Sequence, residues 1–147
     1  MISIYEEEFN VGDSLPSVKL PDGSGNMFST ASFRGKYYLI DFWSTWCRQC
    51  MIFDEYKKTL RREIPAEKLG MVSVALDDSR GTWLSLINRN HYDWPQLIDD
   101  KMWRGVAALT LKFDSIPFNF LVSPKGIVIA KAIPADSLAS VLKRIIK

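Results

Sequence analysis

Residues 36–43 read KYYLIDFW, an almost unbroken run of aromatic and branched side chains. Such a run marks a strand covered on both faces, and it predicts a central one. GMVSVAL at 70–76 has the same character and predicts a second buried strand. Between them the period changes. Ile52, Tyr56 and Leu60 recur at helical spacing, Lys57, Lys58, Arg61 and Arg62 suit the negative end of a helix, and Pro65 stops it. DDSRGTWLSLINRN supplies Asp and Ser caps for a further helix with Trp83, Leu84 and Ile87 turned inward. WPQLI is a short strand, WRGVAALTL another helix, and FNFLV with GIVIAKA, joined by SPKG, an antiparallel pair. ADSLASVLKRIIK puts Leu138, Val141, Leu142, Ile145 and Ile146 on one stripe that should dock on the sheet. Ahead of all this, 18–20 and 26–29 flank PDGSG, whose Asp22-Gly23 provides turn chemistry for a small N-terminal hairpin. The first 16 residues read as irregular and acidic.

Strands separated by helices pair in parallel with helices on both faces, and the closing hairpin adds antiparallel strands at one edge. The expected architecture is therefore a mixed α/β sheet flanked by helices, with residues 1–147 as one domain. Composition agrees: 47% hydrophobic and 24% charged residues are enough for a real core, and a net charge of +2 without a basic block argues against nucleic acid as a partner. No apolar run approaches the roughly 20 residues of a membrane span. The opening MISIYEEEFN lacks the basic start and apolar stretch of a signal peptide. An initiating Met can also follow removal of a leader or upstream domain, so the compartment stays open here.

The chain has 2 cysteines and 1 histidine. A structural zinc needs four ligands of this kind, so neither a metal nor any other cofactor is implied. His91 reads as a polar residue where a helix meets a loop. Cys47 and Cys50 fall just past the end of the central strand, at the first turn of the next helix, where chemistry collects in open α/β sheets. Unpaired backbone N–H groups and the helix dipole favour a thiolate there, and Arg48 adds positive charge. Cys47, nearer the loop, is the expected nucleophile, and Cys50, one turn further in, the resolving thiol. The competing reading is two helical cysteines that only pack in the core.

LIDFWSTWCRQC resembles the active-site segment of thioredoxin-like proteins, and SIPFNFLVSPKG their segment with a cis-proline followed by a strand and turn. Residues 16–43, 72–87, 94–103 and 126–133 are together similar to thiol-disulfide oxidoreductases of the TlpA/ResA type, which add an N-terminal hairpin and a central helical insertion to the thioredoxin fold. The resemblance implies roles. Cys47 would be the nucleophile, Cys50 the resolving thiol, Trp46 an aromatic shield, and Pro117 the proline facing the disulfide. The backbone of Ile116 would offer its N–H and C=O to an extended substrate. Asp41 would be a buried carboxylate that moves a proton to or from the resolving thiol, a role that burial in YYLIDFW would suit.

Two positions depart from the pattern. Gln49 stands where many relatives have proline, and Phe53 where they often have a glutamate. Trp43, Trp83, Trp94 and Trp103 read as packing residues. The resemblance further implies a reductase outside the cytoplasm, acting as a monomer on protein disulfides or dithiols, apocytochrome c among them, with electrons from a membrane-bound or soluble thiol donor. A thiol peroxidase is the second reading. It shares the fold, but Ile40 occupies the place of the proline in the P-x-x-x-[ST]-x-x-C pattern, although Ser44 is present. A redox-silent docking module is the third, and the intact cysteine pair argues against it.

Overall fold

Five strands form the main sheet of the computed structural model, which describes residues 8–146. They are β3 (Tyr37–Trp43), β4 (Leu69–Leu76), β5 (Gln96–Asp99), β6 (Phe118–Val122) and β7 (Val128–Lys131), in the order β5-β4-β3-β6-β7. The two continuous apolar runs, β3 and β4, pair in parallel at the centre because only interior strands have both faces covered. β5 adds in parallel on one side, and β6 and β7 add antiparallel on the other. A separate antiparallel pair, β1 (Lys19–Pro21) and β2 (Met27–Ser29), forms the N-terminal hairpin.

Alternation along β3 divides the core. Tyr38, Ile40 and Phe42 point to a cluster shared with Leu15, Val18 and Leu20 of the N-terminal segment and with α3 (Val106–Leu111). Leu39 and Trp43 point to the opposite face, under α1 (Arg48–Glu63), α2 (Arg80–Asn90) and α4 (Leu138–Ile145). Leu138 and Leu142 of α4 are buried against that face, each contributing roughly 1.5–3 kcal/mol. Trp83 of α2 is buried with Trp43, Ala75 and Ile98, a row given by the registers Trp43↔Ala75 and Ala75↔Ile98.

Several local expectations change. On α1 the buried stripe is Cys50, Phe53, Lys57 and Leu60, while Ile52 and Tyr56 are exposed. Lys57 meets a buried acidic partner, Asp41, on that face and so does not serve as a surface charge at the helix end. In the hairpin turn the left-handed residue is Gly25, and Asp22 contributes its carboxylate, which accepts from the N–H groups of Ser24 at 2.9 Å and Asn26 at 3.0 Å. WRGVAALTL is not one helix. A 3₁₀ turn at Met102–Arg104 precedes α3, with Gly105 extended between them. There the buried Asp99 carboxylate accepts from Ala107 N at 3.0 Å, and a Cβ on Gly105 would collide with it.

The opening segment is irregular but tied down over its described part. Gly12 N and Leu15 N donate to Val128 O and Gly126 O at 2.8 and 2.9 Å, and Leu15 is buried. Residues 1–7 of that segment lie outside the described residues.

Candidate active site

β3 ends at Trp43 and the chain turns through Ser44, Thr45 and Trp46 into α1. Asp77, at the end of the neighbouring β4, holds this turn: its buried carboxylate accepts from the Thr45 N–H at 2.9 Å, from the Thr45 hydroxyl, and from Ser79 N at 3.1 Å. Cys47 is the N-cap of α1, and its Sγ accepts from the Cys50 N–H at 3.1 Å. Sulfur thus fills the place that a Ser or Asp oxygen takes in ordinary caps. The same two residues form a disulfide with Cα atoms 5.2 Å apart. Both are largely covered, Cys47 at 8% and Cys50 at 2% exposure, so the outer sulfur-bearing residue is the one nearer the loop.

The apolar bed of the pair consists of Trp43, Ala75, Trp83 and Ile98, with Ile116 packed against it. Trp46 is 61% exposed, so the aromatic groups buried with the cysteines are Trp43 and Trp83. Arg48 opens α1 at the surface and makes no ion pair among the described residues. The Ile116–Pro117 peptide bond is cis. Pro117, together with Gln49 and Ile52 of α1 and Ile133 and Pro134 after β7, lines a groove of about 260 Å³ beside the first turn of α1. The far wall of this groove is fixed by Asn119, whose side chain donates to Ile133 O and accepts from Ile133 N, both at 3.0 Å.

Asp41 lies on the face of β3 covered by α1, between Leu39 and Trp43, at 3% exposure. In register with it are Ser73 on β4 and Asn119 on β6, so three polar side chains cross the sheet in one row. Lys57, 2% exposed, reaches down from α1 and places Nζ 2.7 Å from Asp41 Oδ2 and 3.0 Å from Ser73 Oγ. The Ser73 hydroxyl donates to Asp41 Oδ1 at 2.6 Å, and the Trp94 indole N–H donates to that hydroxyl at 3.0 Å. Burial pushes the Asp41 carboxyl above the usual carboxylate range, opposed by the Lys57 charge and by the hydrogen bonds from Lys57 and Ser73. A carboxyl in this state can exchange protons closer to neutrality than an exposed one.

Cys47, Cys50 and Ile116 come together, Asp41 is buried, Pro117 follows a cis bond, and Trp46 and Arg48 lie at the surface, while sequence reading missed the polar contacts that Lys57, Ser73 and Asp77 add. One signal for Lys57 was available, since a lysine inside the stripe Cys50, Phe53, Lys57, Leu60 implies a buried anion facing it. A larger cavity, about 440 Å³, lies between the hairpin turn and the end of α2, lined by Asp22, His91, Tyr92, Trp94 and Gln96 among others. Neither cysteine borders it, so cavity size does not mark the chemistry here. Among the described residues no group of three or more His, Cys, Asp or Glu is placed to hold a metal ion.

Known proteins resemble this chain in sequence and fold. Thiol-disulfide oxidoreductase ResA of Bacillus subtilis is 23% identical over 124 residues, 84% of this chain and 68% of the relative. A thiol-disulfide oxidoreductase from Bacteroides fragilis is 28% identical, with a TM-score of 0.80 over 91% of this chain and 100% of that one. The thioredoxin domain of a thiol-disulfide oxidoreductase from Bacteroides vulgatus, at 23% identity, has the same fold, with a TM-score of 0.86 over 95% of this chain and 100% of that one. The AhpC/TSA family matches residues 11–131. With its thioredoxin-like sheet and its Cys47–Cys50 pair, the chain belongs to the AhpC/TSA family and is a thiol-disulfide oxidoreductase within it.

Proposed function

We propose that the protein reduces disulfides of other proteins through Cys47 and Cys50. The Cys47 thiolate attacks one sulfur of the substrate disulfide; the substrate S–S bond breaks and the released substrate sulfur takes up a proton. Cys50 then gives its proton towards Asp41 and attacks Cys47 Sγ. The mixed disulfide breaks, the second substrate sulfur is protonated, and two electrons have passed from the dithiol to the substrate. A thiol donor reverses these steps to restore Cys47 and Cys50.

The observation that carries this reading is the Cys47 sulfur at the N-cap of α1, accepting the Cys50 N–H at 3.1 Å. That position stabilises negative charge on the outer sulfur, both when it attacks and when it leaves. Trp46 offers an extended polypeptide an exposed apolar ring next to Cys47 in the chain, and the groove beside Pro117 offers a walled channel along the first turn of α1, with the Ile116 backbone available for strand-like pairing. Arg48 adds a cation at the same rim. The similarity to the ResA and DsbE relatives supports an extracytoplasmic setting, and we extend the proposal to a thiol donor in the membrane or in solution and to action as a monomeric single domain over 1–147. Among the described residues no helix is long and apolar enough to cross a membrane.

The test is to reduce the protein, mix it with a protein disulfide or with hydrogen peroxide, and follow formation of the Cys47–Cys50 bond. Fast oxidation by the protein disulfide with slow oxidation by peroxide is expected. The opposite preference would replace this function with the peroxidase reading.

A further inference from the structure

Beneath α1 two carboxylates share one ammonium. Lys57 Nζ lies 2.7 Å from Asp41 Oδ2 and 3.5 Å from Asp54 Oδ1. Asp54 precedes Lys57 by three positions on the same helix, a spacing that usually gives an exposed surface pair. Here Asp54 is only 8% exposed and turns towards the core. Its second oxygen accepts from the Tyr92 hydroxyl at 2.8 Å, and Lys58 Nζ stands 3.6 Å from that oxygen. Phe53 and Trp94 close the sides, their ring centroids 5.9 and 5.8 Å from Lys57 Nζ. The ammonium thus has a buried acceptor on either side.

We propose that Asp54, fixed by Tyr92, is a positioning residue for disulfide exchange: it competes with Asp41 for the Lys57 ammonium and so keeps Asp41 able to gain and lose its proton. This rests on the reading of Asp41 as the proton acceptor for Cys50.

The reasoning is electrostatic. A carboxylate clamped alone by a lysine at 2.7 Å inside a protein would stay ionised and would be a poor proton acceptor. A second negative charge beside the same lysine opposes that clamp. The groups facing Lys57 are Asp41 from β3, Ser73 from β4, and Asp54 from α1, with Trp94 and the Asp54-bound Tyr92 from the segment before β5. Lys58 and Glu55 stand behind Asp54 towards solvent, 3.4 Å apart. Burial is the main reason the Asp41 value is raised, and the charge of Asp54 adds a smaller push in the same upward direction, as this arrangement requires. Tyr92 keeps its donor proton, because burial and the neighbouring Asp54 charge push the phenol well above its ordinary range. The contact to Asp54 is therefore a constant hydrogen bond and no second titrating switch.

The oxidised full-length protein, labelled with ¹³C at aspartate carboxyls, allows the Asp41 titration to be followed directly by NMR alongside the exchange rate as a function of pH. Asp54→Asn should move the Asp41 midpoint to lower pH, the exchange profile should follow in the same direction, and Asp54→Glu should return both towards wild type. An unmoved or raised midpoint in folded Asp54→Asn overturns the proposal. If the midpoint falls and the exchange profile does not follow, the coupling between the carboxylates stands and the role of Asp41 in exchange is lost. Should Asp54→Asn not fold, Tyr92→Phe serves: an Asp54 deprived of its hydroxyl partner leans harder on Lys57, which raises the Asp41 midpoint, and an unchanged midpoint refutes the sharing.

Discussion

Replacing Lys57 by Met removes the ammonium and keeps most of the side-chain volume between Phe53, Trp94 and the sheet. At 2.7 Å the gross attraction between Lys57 and Asp41 is about 6 kcal/mol with an effective dielectric constant of about 20. Most of that is offset by the desolvation of two charges, yet removal of one partner strands the other, which typically costs about 3–5 kcal/mol. The stranded Asp41 has an escape, because it can bind a proton. Its folded-state value is already raised above that of the unfolded chain and rises further without Lys57. A raised carboxyl favours the folded state at low pH, where it is protonated in both states, and the cost accumulates as pH climbs from the unfolded to the folded value. Urea unfolding of the oxidised protein should therefore show a small loss for Lys57→Met at about pH 4 and a larger one at about pH 9, because the cost grows as pH climbs above the unfolded-chain value. Adding Asp41→Asn should recover much of the high-pH loss. Equal destabilisation at both pH values, with no recovery in the double variant, would refute an electrostatic account and leave only repacking.

The remaining expectations follow from the same contacts. Cys47→Ser should abolish exchange, whereas Cys50→Ser should accumulate mixed disulfides on Cys47, read by mass spectrometry under non-reducing conditions. Asp41→Asn leaves Lys57 only Asp54 as an anion and should lower stability, while the protein that remains folded should exchange more slowly between about pH 6 and pH 9, by up to the ~10²-fold or more expected of general acid–base groups; an unchanged rate would remove Asp41 from the chemistry. Asp77→Ala leaves the Thr45 and Ser79 donors unpaired and should cost about 1–3 kcal/mol in chemical denaturation, with slower exchange because the turn before Cys47 loosens. Gly105→Ala should destabilise by about 1–3 kcal/mol, since its Cβ meets the Asp99 carboxylate.

Much of this was legible locally. Continuous apolar runs located β3 and β4, and the two cysteines at the strand-to-helix boundary located the chemistry, because each signal sits within a few adjacent residues. What the sequence hid depends on register. Ile52 and Tyr56 look like a core stripe, and they lose that place to Cys50 and Phe53, which pack into the apolar clusters under the helix, and to Lys57, which meets Asp41 there. Asp77 reaches Thr45 across 32 positions, and no local pattern announces such a contact. In the hairpin turn, read from Asp22-Gly23, Gly25 takes the left-handed position and Asp22 binds two N–H groups at once.

The misread stripe on α1 also explains how sulfur and proton chemistry come to share one element. Cys50 and Lys57 lie two turns apart on the same buried face, about 10 Å along the axis, on a helix that is continuous from Arg48 to Glu63. The N-terminal end of that helix holds the disulfide, and its middle presses an ammonium onto a row of polar side chains drawn from β4, β3 and β6. Ser73, Asp41 and Asn119 would be poor choices for three adjacent interior strands if packing were the only demand. Each is nevertheless satisfied: Ser73 by Trp94 and Lys57, Asp41 by Lys57 and Ser73, Asn119 by the Ile133 backbone. Asn119 thereby sets the wall of the groove beside Pro117, while Asp41 holds a buried carboxylate under the middle of α1. One row across the sheet thus supports both the binding channel and the buried acid, and moving α1 would disturb the two together.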